Sequence, residues 1–193
     1  MANDELFGDR RRAKEDEYFY RQEQELMEKL RQRNQEEATR QRMAERSGVA
    51  DEEILQDLQA LGYTPETVML LHLVPLLQMA WAEGSVSDRE RELILEAARS
   101  RGIDKDSAAD RQLAAWLDNR PSEELFDKTL RAIGAILQSQ PSAAHDASEQ
   151  DLVARLTAIA SASGGILGFG KVSPQEQEVL ARITKEMERA RRP

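Results

Sequence analysis

Residues 68–82 read "VMLLHLVPLLQMAWA", the one run in the chain apolar enough to raise the question of a membrane. A spanning helix needs about 20 predominantly apolar residues. This run stops at fifteen, with His72 and Pro75 inside it, so it reads as the buried core helix of a globular domain. Thr64-Pro65 opens that helix, with proline at the first helical position, where its missing N–H is not needed.

Outward from this run a single pattern recurs: a capping residue, an apolar-periodic stretch, then a breaker. Asp51 starts a short helix that ends at Gly62. Ser87 with Glu90 forms a capping box for a helix that Gly102 closes, and Ser107 begins a helix reaching Trp116 and Leu117. After Pro121-Ser122, "EELFDKTLRAIGAILQ" places Leu125, Phe126, Leu130, Ile133, Ile136 and Leu137 on one face. "PSAAHDASEQ" reads as a surface loop, Ser148 with Asp151 starts another helix, and Ser173-Pro174 with Glu176 caps the last. No segment reads as a strand. Aromatic residues make up only 5% of the chain, and Ala, Leu, Glu, Arg and Gln dominate, the residues that lose least side-chain freedom in a helix. The fold class is all-α.

Charge and residue inventory remove several function classes. Lys and Arg total 27 against 36 Asp and Glu, a net charge of −9, whereas nucleic-acid binding relies on clustered cations that release counterions. There is no cysteine, and the two histidines, His72 and His145, lie far apart, so zinc-cysteine sites, disulfides and nucleophile-histidine pairs are not expected. The start "MANDELFGDRRR" lacks the apolar core of a signal peptide. The expectation is a cytoplasmic protein without a membrane span, with no catalytic residue, no metal and no cofactor.

Two motifs tempt otherwise. Residues 165–171, "GILGFGK", have the spacing of a nucleotide-binding phosphate loop. However, Val172 offers no hydroxyl to magnesium, and the preceding "DLVARLTAIASAS" reads as helix rather than strand. "DKDSAAD" at 104–110 hints at calcium but lacks the glycine and the final glutamate of such a loop.

A different comparison accounts for the glycine-lysine pair. "GSVSDRERELI" at 84–94 and "GKVSPQEQEVL" at 170–180 share G-x-V-S-x-x-E-x-E followed by two apolar residues, offset by 170 − 84 = 86 positions. Each copy reads as a helix start, and the pair suggests an internal two-fold repeat of helix-turn-helix halves. At this point the chain resembles the tellurite-resistance B-like (TerB-like) family, through "WAEGSVSDRERELI" with Glu83 where that family usually has Asp. The resemblance covers about residues 65–190. It implies a compact multi-helix domain discussed as an acidic, metal-binding scaffold, with Glu83, Asp88 and Glu90 on the motif positions; the second copy has Pro174 in place of Asp88.

Before that domain, no Gly or Pro occurs between Asp9 and Arg46, and i to i+4 pairs such as Glu25 with Lys29 and Glu36 with Arg40 support one long helix. The organisation is thus a helical partner-binding arm at 1–46, a linker and short helix at 47–64, and a helical domain at 65–193. Phe19, Leu26 and Leu30 recur on the arm at spacings of seven and four, with Met27 beside them and Tyr18 adjacent. Beyond Leu30 the arm is polar until Met43, so an apolar heptad seam is not sustained. Such a stripe can pack on its own domain or a second copy, lie on a membrane surface, or enter the groove of a foreign protein.

Residues 7–30, "FGDRRRAKEDEYFYRQEQELMEKL", resemble the inhibitory segment of the mitochondrial ATP synthase inhibitor protein family, through Phe7, Gly8, Arg10, Ala13, Glu15, Tyr18 and Phe19. Met27 and Leu30 fall where that family has apolar anchors, and Leu26 replaces a Gln. The resemblance implies a helix that inserts between catalytic subunits of an ATP synthase head and blocks ATP hydrolysis. Tyr18, Phe19, Met27 and Leu30 would fill apolar pockets, and Arg10 and Glu15 would make charged contacts. The family's histidine cluster and antiparallel tail are missing here, so its pH-dependent self-association between pH 8 and 6 is not expected. The alternative is a TerB-like scaffold that binds a protein or a divalent cation, its arm serving docking or a homodimer.

Overall fold

The computed structural model describes residues 2–139 and 173–190, with side chains described at 18–136, 173–185 and 189. The loop at 141–150, the helix expected from Ser148, the "GILGFGK" segment and His145 lie outside the described residues, as does the side chain of Leu137. All regular structure among the described residues is helical. The chain divides into two compact units, residues 1–41 and 42–193.

The first unit belongs to helix α1, Ala2–Ser47. Its residues from Tyr18 to Ala38 are exposed. Thr39 Oγ1 donates to the Gln35 carbonyl at 2.8 Å within it. The end of α1 belongs to the second unit, where Met43 is fully buried. The Ser47 hydroxyl donates back to the Met43 carbonyl at 2.8 Å, and Gly48, at φ +76°, ends the helix.

In the second unit Asp51 caps α2, Glu52–Ala60, accepting from the N–H groups of Glu53 and Ile54. At its end the Tyr63 N–H donates to Leu58 O and the Gly62 N–H to Gln59 O, both at 3.0 Å. This is the reciprocal closure that a left-handed glycine permits, and Gly62 has φ +86°. The same closure recurs after α4, Asp88–Ser100, through Gly102 and Ile103. Segment 47–64, expected as a linker and short helix, places Val49, Leu55, Leu58 and Tyr63 in the hydrophobic core.

The apolar run differs from a single helix opened by Pro65. It is a 3-10 helix, Val68–Leu73, followed by α3, Val74–Ala80, with Pro75 in the first turn of α3. Proline within a continuous α-helix would lack an N–H and crowd the carbonyl four residues back, so the winding changes just before it. In a 3-10 helix residues i and i+3 eclipse, giving three columns. Val68/Leu71 and Leu70/Leu73 are buried, whereas Met69/His72 is only partly covered. Every residue of α3 is buried.

Around this run stand α4, α5 (Ala108–Asp118), α6 (Glu123–Ser139) and α7 (Pro174–Ala190). The amphipathic α6 touches α2, the 3-10 helix, α3 and α7. Its Phe126 is fully buried, and Leu130, Ile133 and Ile136 accompany it in the core. Ile183 of α7 is equally buried. Arg182 of α7 pairs with Asp127 and Glu123 of α6, and Lys128 of α6 pairs with Asp57 of α2 at 2.8 Å. Partial burial pushes the Glu123 carboxyl up, but Arg120 and Arg182 outweigh it and leave it below its ordinary range.

Candidate functional site

The arm carries the candidate site. On a 46-residue helix half of whose residues are charged, apolar side chains recur in residues 18–30 at positions that share or border one face. Among the described residues, all the large hydrophobics left exposed fall in that stretch. Phe19 is 67% exposed, Tyr20 65%, Tyr18 60% and Leu26 58%, followed by Met27 and Leu30 at 46% and 44%. The Tyr18 and Phe19 rings meet edge to face, 6.0 Å between centroids at 71°, which stiffens the aromatic end of the stripe.

Helical rotation of 100° per residue decides what this surface can do. Phe19, Leu26 and Leu30 lie within about 40° of one another, with Met27 and Tyr20 to one side and Tyr18 to the other. A ligand laid against the helix meets a strip of apolar side chains with Glu23 among them and Lys29 at its edge. Contiguous exposed apolar surface of this kind marks an interaction site more often than a solvated face does. Phe7, Arg10 and Glu15 lie on the same helix, and their side chains lie outside the described set. Tyr20 is the member that sequence reasoning missed; its position beside the Tyr18-Phe19 pair was the available signal.

The second candidate, the carboxylate motif, resolves into helix capping. Glu90 is buried, and its Oε2 accepts from both the N–H and the hydroxyl of Ser87 at 2.7 Å. Ser87 Oγ in turn accepts from the Glu90 N–H at 3.3 Å. Glu83 and Asp88 are exposed. The later copy is built alike: Glu176, also buried, accepts from the Ser173 N–H at 2.6 Å, and its own N–H donates to Ser173 Oγ at 3.2 Å. Gly170, Lys171 and Val172 lie outside the described residues.

The calcium-like loop is closed from within. Asp110 accepts from Arg99 at 2.5 Å and from the Asp106 N–H at 2.8 Å, and Arg99 followed by that backbone bond holds its carboxyl below the ordinary range. Arg111 donates to the Asp106 carbonyl at 2.7 Å. Cationic side chains thus occupy the place a metal would need. Among the described residues no group of three or more His, Asp or Glu is arranged to hold a metal ion.

Other polar contacts join helices of the domain to one another. The Tyr63 hydroxyl and Thr129 Oγ1 lie 3.1 Å apart, and burial pushes the Tyr63 phenol well above its ordinary value. Trp81 Nε1 donates to the Trp116 carbonyl at 2.9 Å. Burial, then the charge of Arg101, hold the His72 imidazole below its ordinary 6.5.

Comparison with family models, with curated proteins and with solved structures finds no match for this chain. No described helix is long and apolar enough to cross a membrane.

Proposed function

We infer that the chain is a regulatory binding protein whose N-terminal helix inserts into an ATP synthase catalytic head and inhibits ATP hydrolysis. The observation that carries this reading is the exposed stripe at Tyr18, Phe19, Leu26, Met27 and Leu30 on a helix with no Gly or Pro from Asp9 onward. It is supported by the resemblance of residues 7–30 to the inhibitor protein family. Apolar anchors on a soluble helix suit a hydrophobic groove between subunits, and wedging a helix there obstructs rotation without any chemistry by the inhibitor. Phe7, Arg10 and Glu15 would complete the contact set, and the protein would act on the cytoplasmic side, where a bacterial head lies.

The test is ATP hydrolysis by a purified head with and without the full-length protein. Dose-dependent inhibition that disappears with Tyr18→Ala and Phe19→Ala is the expected result. No effect at micromolar protein overturns the reading.

A second reading rests on the matching caps at Ser87-Glu90 and Ser173-Glu176. They support an internally repeated TerB-like scaffold whose acidic surface engages a protein or a divalent cation, with the arm as its docking element. Absence of inhibition would move the search to that surface.

A further inference from the structure

We propose that Met27 is a reversible oxidation site whose sulfoxide turns the apolar stripe of the arm polar and weakens binding through it. The site follows from this chain alone; the loss of inhibition that oxidation brings rests on the partner reading above.

Access decides which sulfur an oxidant reaches. The chain has six methionines and no cysteine, so no thiol of its own competes for a two-electron oxidant. Four of the methionine side chains lie among the described residues: Met27, Met43, Met69 and Met79. Met43 and Met79 are 0% and 1% exposed and Met69 is partly covered, whereas Met27 is 46% exposed. Met27 and Met43 stand on the same helix, α1, and burial separates them. Oxidation of a thioether follows its exposure, so Met43 becomes reachable only when the domain opens.

The step transfers one oxygen atom. The Met27 sulfur attacks one oxygen of hydrogen peroxide; an S–O bond forms, the O–O bond breaks, and the second oxygen leaves as water. Sulfur gives up two electrons and peroxide takes them. A dithiol-driven sulfoxide reductase returns the thioether, its dithiol leaving as a disulfide and the oxygen as water.

Position gives the step its effect. Met27 lies beside Leu26 and one helical turn before Leu30, both exposed. The other members of the stripe are leucines and the rings of Tyr18, Phe19 and Tyr20, which peroxide leaves unchanged. Met27 is thus the member whose polarity this oxidant alters. A sulfoxide oxygen accepts hydrogen bonds strongly, and burying it in an apolar groove without a donor is costly. In water the same oxygen is satisfied, so the change falls on binding.

Brief treatment of the full-length protein with hydrogen peroxide, stopped with catalase and followed by peptide mass spectrometry, tests the site. Met27 should oxidise about tenfold or more faster than Met43 and Met79; equal rates at the three overturn the assignment. Retention on a phenyl column reads the stripe without any partner. Oxidised wild type should elute earlier, sulfoxide reductase should reverse the shift, and Met27→Leu should lose it. Unchanged retention in wild type, or an equal shift in Met27→Leu, overturns the change in polarity. In the ATP hydrolysis assay each protein is compared with its own untreated form. Oxidised wild type should need about tenfold more protein for half inhibition, and Met27→Leu should not respond to the treatment. Inhibition indifferent to Met27 oxidation overturns the effect on binding. If untreated protein fails to inhibit, the partner reading fails, while the peptide map and the column still decide the oxidation site.

Discussion

The arm and the domain use the same residue types in opposite directions. Leu55, Leu77, Phe126 and Ile183 in the domain are buried, while Phe19, Leu26 and Leu30 in the arm face water. Burial of a leucine or phenylalanine side chain is worth about 1.5–3 kcal/mol; the domain realises that gain in its own fold, and the stripe on the arm does not. Under the proposed function, folding and binding fall to different stretches of the chain. Mutations should divide the same way.

The sharpest break in the comparison comes from two phenylalanines. Phe126→Ala should destabilise the domain by about 3–5 kcal/mol through the cavity it opens, measured by denaturant unfolding. Phe19→Ala should leave that unfolding curve in place and weaken partner binding by about 2 kcal/mol or more, measured by titration against the head. If Phe19→Ala lowered domain stability, the separation would fail.

A smaller effect sharpens the picture inside the domain. Ser87→Ala and Ser173→Ala each remove a cap, and each should cost about 1 kcal/mol. If the two helix starts act independently, the double variant should show the sum. A strongly non-additive result would mean the two helix starts are coupled.

The smallest effect concerns pH. His72 is held below its ordinary value by burial and by Arg101, so the unfolded chain binds its proton more readily than the folded one. Its contribution is fully present above pH 6.5 and is lost as pH falls toward the depressed folded value. Domain stability should hold from pH 8 down to about 6.5 and decline below it, and His72→Leu should flatten that decline. The arm contains no histidine, so any pH response confined to it would contradict this division.

The helix starts were legible in the sequence because capping is local. Asp51, Ser87, Ser107 and Ser173 each announce a helix within four residues, and each caps it in the structure. The stripe was legible for the same reason, since helical spacing alone sets its face. Less legible was the 3-10 winding at Val68–Leu73, because a run apolar at nearly every position has no period to read. Pro65 looked like the helix opener, whereas Pro75 proved to sit in the first turn of α3. Core membership of Val49 and Tyr63 depends on α6 and its neighbours, through contacts such as Tyr63 with Thr129, 66 positions apart. No local rule reaches that far.

The three-column winding of Val68–Leu73 also fixes which changes this part of the molecule can accept. A polar atom at Val68, Leu70, Leu71 or Leu73 would be sealed from water with no partner provided, whereas the Met69/His72 column keeps an edge at the surface. Drift under selection is thereby channelled into Met69 and His72, three positions apart in the 3-10 helix. Related sequences should carry their polar letters there, in a rhythm that neither a strand nor an α-helix would produce.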